Sequence, residues 1–223
     1  MKLFITLTLI TIGAISISAQ AKTITAADYD GAFQYAVSET NAAFPFKFIV
    51  ITQRFENEKL VSNETEVTER QAAGVERETK TLEKSGQTLR SYSVMVGFDN
   101  GTYCSSDGVN WKGPQEFVCP GPDGSETVSL SRPRKPESVQ YSATEESRNG
   151  KPVKVYRKLA IFPATAPNGK KSHSGETVTL DSRGFFISVV YAEGILDSKP
   201  DTTLYRRQTW DFETKFKPVV APK

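Results

Sequence analysis

The sequence predicts a mainly β fold, an antiparallel sheet with one N-terminal α-helix packed against it. From Phe46 onward the chain reads as segments of about ten residues, rich in β-branched and aromatic side chains. Turn signals separate them, among them Asp99-Asn100-Gly101, Asn149-Gly150 and Ser182-Arg183-Gly184. One stretch, between Thr25 and Pro45, has the spacing of an amphipathic helix. Short links mean antiparallel neighbours, because a parallel pair needs a crossover of about a dozen residues or more.

The chain opens with features of a cleavable export signal. Met1 and Lys2 precede an uncharged apolar stretch from Leu3 to about Ile17, then Ala19-Gln20-Ala21, a small-x-small cleavage pattern. Thr and Ser dilute this stretch below the roughly 20 strongly apolar residues of a membrane span. The expected organisation is therefore a signal over residues 1–21 and a single β-rich domain over 22–223, in the periplasm or outside the cell. The domain is large enough for a core of its own. Its 28 basic and 26 acidic residues leave a net charge of +2, without the basic bias of a nucleic-acid binder. The cluster Arg132-Pro133-Arg134-Lys135 is short and broken by proline, and reads as a solvated loop.

In chain order, Thr25 is placed to cap the helix, with Asp28 three residues on as a weaker capping-box partner. Tyr29, Phe33 and Val37 then recur at spacing four, beside Ala26, Ala32 and Ala36. The helix should end before Pro45, since the residue preceding proline avoids helical angles. Strands are expected over Phe46–Phe55, Leu60–Arg70 and Val75–Lys84. The last of these also fits a helix through Val75, Thr79 and Leu82, but Gly74 and Ser85-Gly86 bracket it and its neighbours are strands. Arg90–Gly97 follows, with Tyr92, Val94 and Val96 on one face, then Gly101–Trp111. Gly113–Pro136 reads as loop. Glu137–Arg148 and Lys151–Phe162 form a hairpin pair. After a Lys-rich loop come Glu176–Asp181, Phe185–Ala192 and Thr202–Phe212, then a terminal piece ending Val219-Val220-Ala221-Pro222.

Two cysteines, Cys104 and Cys119, most often pair in an exported chain, and Gly108, Gly113 and Pro114 let the intervening segment turn back. A redox pair would favour C-x-x-C spacing. A metal pair would have a single histidine, His173, to draw on, and that residue falls in the expected Lys-rich loop. The same scarcity of bases argues against an enzyme, because hydrolytic triads and most general-base schemes need a positioned base. There is no G-x-S-x-G elbow, no H-E-x-x-H and no Walker-type phosphate loop. Glu145 and Glu146 are adjacent, so on a strand they point to opposite faces. No metal and no cofactor is expected. Asn63-Glu64-Thr65 and Asn100-Gly101-Thr102 match the glycosylation pattern, relevant only in a eukaryotic secretory route.

The stronger signal is apolar surface. Phe185, Ile187, Val189 and Tyr191 alternate with Phe186, Ser188 and Val190, so apolar side chains fall on both sides of one strand. Phe46, Phe48 and Val50 likewise oppose Ile49, Ile51 and Phe55. A sheet covered on one side normally alternates apolar with polar. One helix can cover only one side. The other must be met by the sheet folding over, or by a half-open barrel holding a hydrophobic ligand. Plain core packing is the simpler reading of such strands.

Three passages resemble the lipoprotein-carrier superfamily of LolA-type and LppX-type proteins. They are Ser91 to Gly97 continuing through Tyr103 to Trp111, Thr179 to Phe185 around Gly184, and Trp210-Asp211-Phe212 to Pro222. The resemblance implies a curved antiparallel sheet, an unclosed half-barrel, with helix over a cavity that takes acyl chains. It implies a lipid or another hydrophobic molecule as partner; the charge balance argues against nucleic acid, and no later stretch is long or apolar enough for stable membrane insertion. Candidate ligand-binding residues are then Phe33 and Val37 on the helix, with Phe48, Val50, Val94, Ile187, Val189 and Trp210 on strands. Arg54 is the position offered for the family's lipid-contacting arginine. The competing expectations are a filled β module that recognises protein or glycan through Gly113–Pro136 and Ala164–Gly175, and a hydrolase.

Overall fold

The computed structural model describes residues 21–57, 59–97, 101–115, 119–122, 134–164, 169–196 and 202–223. Residues 1–20 of the expected export signal, Asp99 and Asn100 of the expected turn, Arg132 and Pro133 of the basic cluster, 116–118 and 123–133 of one expected recognition loop and 165–168 of the other lie outside them. A two-residue strand β1 (Lys22–Thr23) leads into helix α1 (Ala26–Ala42). Then come β2 (Phe46–Glu56), β3 (Lys59–Ala72), β4 (Val75–Lys84) and β5 (Gln87–Val96), followed by the short β6 (Thr102–Ser105) and β7 (Lys112–Gln115). The second run is β8 (Ser138–Arg148), β9 (Lys151–Phe162), β10 (Ser172–Leu180), β11 (Phe186–Ile195) and β12 (Thr202–Asp211).

All the strands join one antiparallel sheet in the order β1-β8-β9-β10-β11-β12-β2-β3-β4-β5-β6-β7. The end strands β1 and β7 do not pair, so the curved sheet is an unclosed half-barrel with α1 packed against it. The ambiguous Val75–Lys84 segment is a strand over those bounds, paired from Val75 opposite Val96 to Lys84 opposite Gln87.

Helix α1 starts where its cap dictates. Thr25 Oγ1 accepts the Asp28 N–H at 3.1 Å, and the Asp28 carboxylate accepts the Thr25 N–H at 3.0 Å. The reciprocal pair satisfies two N-terminal donors, and the bonds from Thr25 hold the Asp28 carboxyl below its ordinary range. The helix docks through Tyr29, Ala36 and Thr40, all buried. Thr40 Oγ1 also accepts the Phe186 N–H at 3.1 Å, which ties the last helical turn to the start of β11.

Three expectations are corrected. His173 lies within β10, not in a loop, because β9 and β11 both extend far enough to pair with it, through Ile161 and Gly194. Gly101–Trp111 is strand only from Thr102 to Ser105. There the Ser105 hydroxyl and the Asp107 carboxylate capture the next backbone N–H groups and turn the chain, which returns as β7 inside the expected loop. Simple alternation also fails in β11. The β10 register passes from Thr179 opposite Ser188 to Leu180 opposite Phe186, a β-bulge that leaves Ile187 unpaired. Directly paired residues share a face, so Phe186 joins Val189 on the face of Val178 and Leu180.

Candidate ligand-binding face

Cross-strand register sorts the side chains into a helix face and a far face. On the helix face, Tyr29, Ala36, Val178, Leu180, Phe186 and Val189 form the buried cluster. Phe33, Val37, Tyr141, Tyr156 and Trp210 pack against it half-buried. Its aromatic rings form a continuous row. Phe33 meets Phe186 edge-on with centroids 5.4 Å apart, Phe186 stacks on Trp210 at 4.8 Å, and Trp210 meets Phe48 at 4.8 Å. Such contacts add about 0.5–1.5 kcal/mol beyond burial. The row thus runs from the helix across β11 and β12 to β2. Tyr29 anchors its other end against Tyr141, ring centroids 5.4 Å apart, and donates its hydroxyl proton to Glu176. Burial, then the Glu176 carboxylate, raises the Tyr29 phenol pKa far above its ordinary value. Tyr191 donates likewise to Glu193, and burial first, then that carboxylate, raises its phenol too.

One strand beyond Phe48 the same face changes character. Trp210 is opposite Phe48, Phe48 opposite Thr68, Thr68 opposite Glu78, and Glu78 opposite Ser93. The neighbouring row passes from Val50 to Glu66 to Lys80 to Ser91. Adjacent strands stand about 4.8 Å apart, so the apolar row meets a carboxylate within roughly two strand spacings. Lys80 Nζ lies 3.5 Å from Glu66 and 3.3 Å from Glu78. Burial and then the nearby Glu66 hold the Glu78 carboxyl above its ordinary range. Burial works against the Lys80 charge, but Glu78 and Glu66 outweigh it and keep the ammonium above its ordinary value. At the end of the row Arg70 pairs with Glu76 at 2.7 Å and lies over the Phe46 ring, 5.7 Å from its centroid.

Among the described residues, the far face is covered without a second helix. Val153 and Val155 are buried there, Val155 completely. Above them Arg157 donates to Thr144 at 3.0 Å and to Glu146 at 2.9 Å, while Arg148 donates to Glu146 at 3.2 Å and to Thr179 at 3.4 Å. By register both arginines share the face of Val153 and Val155, and side chains of this kind lay their stems along apolar surface while their heads stay wet. Further along, the C-terminal tail takes over. Asp211 accepts the Glu213 and Thr214 N–H groups in a turn, the Arg77 guanidinium donates to the Lys217 carbonyl at 3.2 Å, and the Val219 N–H donates to Gln71 at 2.9 Å. Val219 is buried.

Of the residues proposed from sequence, Phe33, Val37, Val189 and Trp210 belong to the helix-face cluster. Phe48 joins it through Trp210, and Val50 shares its face by register. Val94 does not. It faces the other way, paired with Arg77 and Tyr103. Ile187 is the unpaired bulge residue and lies outside the cluster. Arg54 is half-buried near the end of β2, opposite Leu204 and Ser62. Sequence reasoning missed Val178 and Leu180, whose signal was the alternation Thr177-Val178-Thr179-Leu180, and Phe186, which the bulge moved across. Cys104 and Cys119 form a disulfide, which suits an oxidising compartment.

Among the described residues, no group of His, Cys, Asp and Glu is arranged to hold a metal ion. Nor is any helix long and apolar enough to cross a membrane, which says nothing of strands. No protein-family model matches the chain, and no curated protein matches it in sequence.

Proposed function

We propose that this is an exported, non-enzymatic protein that binds or carries an amphipathic lipid on the helix face of its half-barrel. The observation that carries the reading is the uninterrupted row Phe33–Phe186–Trp210–Phe48, which leaves the shelter of α1 and ends beside a polar strand. An acyl chain against the half-buried Phe33, Trp210 and Phe48, with the buried Phe186 beneath, would replace water against aromatic carbon, a gain of about 0.8 kcal/mol per buried methylene. The Glu66–Lys80–Glu78 group would meet the polar end. The apolar leader and the resemblance to LolA-type carriers support the same reading, as does the disulfide.

Native mass spectrometry of protein purified from its exported form tests this. The expected result is a population heavier by the mass of one lipid, removed by delipidation and restored by incubation with phospholipid vesicles. In Phe48→Asp, which puts a charge into the row, the heavier population should vanish while the thermal transition persists. Wild-type protein that never carries lipid and takes none up would sink the proposal.

A further inference from the structure

We infer that a notch beside β5 is a docking slot for an extended peptide strand bearing acidic side chains. β5 spans Gln87–Val96, yet β6 pairs with it only between Tyr92, opposite Ser105, and Met95, opposite Thr102. Among the described residues no strand continues past Ser105 on that side, so Gln87–Ser91 is paired to β4 alone. Among the described residues its outer edge has no strand partner, which makes it a template for strand addition.

The chain itself builds the walls of the notch. Ser105 Oγ accepts the Gly108 N–H at 2.9 Å, and Asp107 Oδ1 accepts the Val109 and Asn110 N–H groups, each at 2.8 Å. That turn peels the chain off the ladder and lays Gly108 against the Tyr92 ring, where a Cβ would stand 3.4 Å from ring carbon; φ at Gly108 is +76°. Cys104 is in register with Ser93, and so shares the opposite face with Ser91. Its disulfide to Cys119 holds Pro120–Pro122 as the second wall. The space between has a volume of about 820 Å³. The open edge, at roughly 3.4 Å per residue, is about 17 Å long, enough for five residues of an added strand.

Charge selects the occupant. Arg90 and Lys112 both line the notch, both are exposed, and neither forms an ion pair among the described residues. The acid beside them, Asp107, is committed inward. Ser105 and the Val109 and Asn110 N–H groups bond its Oδ1, and the Asn110 amide bonds its Oδ2 at 2.6 Å. By register Arg90 shares the face of Tyr92 and Lys112 that of Cys104 and Ser93, so an arriving strand meets one cation on each face, neither of them ion-paired among the described residues. The sheet's terminal strand β7 carries Pro114, which removes a donor and discourages such pairing; Gln87–Ser91 has no proline.

The test titrates isotope-labelled, disulfide-intact protein with a blocked Glu-Glu-Val-Val-Glu-Glu hexapeptide, whose carboxylates fall on both faces of a strand, and with the counterpart in which each Glu is Lys. The acidic peptide should slow amide exchange within Thr88–Ser91 and bind about tenfold tighter than the basic one at low salt. The double variant Arg90→Glu, Lys112→Glu should reverse that preference. Capture of the basic peptide at the same amides would also show that the variant is folded. If neither peptide protects any of these amides, or if the double variant keeps the original preference, the inference is wrong.

Discussion

The Tyr29 ring is buried against Tyr141 while its hydroxyl reaches Glu176, so one residue joins apolar docking to a polar anchor. Tyr29→Phe keeps the ring and removes the donor. It is expected to cost about 1 kcal/mol at neutral pH in urea unfolding, because a half-buried carboxylate loses its partner. The same phenol makes stability pH-dependent. Its proton is held more tightly in the folded chain than in the unfolded one, where the ordinary value is 10.0. A raised folded pKa contributes stability that is fully present below the unfolded value and is lost as pH rises toward the folded one. Stability should therefore decline above about pH 10, with Tyr191 adding to the slope, and Tyr29→Phe should flatten the decline. Tyr29 was legible from its spacing with Phe33 and Val37. Its partner was not, since Glu176 lies 147 residues away and no local pattern links the two.

At the level of elements, α1 was readable because its cap and its apolar stripe are both local. Gly31 is the flaw in it. The residue is exposed, and nothing stands within 4 Å of a Cβ placed there. Gly31→Ala is expected to raise stability by about 0.5–1 kcal/mol in thermal or urea unfolding, through backbone entropy alone. Strand β11 was readable as a strand but not as a surface. Alternation assigns Phe186 and Val189 to opposite sides, whereas the bulge places both under the helix. Bulges are set by the register of a partner strand, here Thr179–Leu180, and leave little mark in the strand that bends. The C-terminal tail shows the reverse. Its Val219-Val220-Ala221-Pro222 ending was visible, but not that Val219 would be buried against the far face. Val219→Ala is expected to cost about 1–2 kcal/mol and to increase proteolysis of the tail, read by limited digestion.

Across the whole molecule, two-faced apolar strands raised the question of what covers the second face. The sequence offered a folded-over sheet or a ligand. The far face has a third answer, a network of Arg148, Arg157 and Glu146 on the side of Val153 and Val155 and the tail over its other end, which leaves the helix face as the amphipathic one. No pattern in the sequence revealed that division, because Glu66, Lys80 and Glu78 take their place beside Phe48 and Val50 only through the pairing of β2, β3 and β4. The edge of the sheet depends on the disulfide. Cys104 and Cys119 are 15 residues apart in sequence, and removing both as serines should lower stability by about 3 kcal/mol in denaturant unfolding if loop entropy dominates. The central claim is that an acyl chain lies along the aromatic row, and Trp210 is its built-in reporter. In Trp111→Phe protein, leaving Trp210 as the tryptophan, addition of phospholipid with brominated acyl chains should quench the emission with saturable, near one-to-one stoichiometry. Unbrominated lipid should compete the quenching away. Emission from Trp210 that stays constant throughout the titration would contradict the claim.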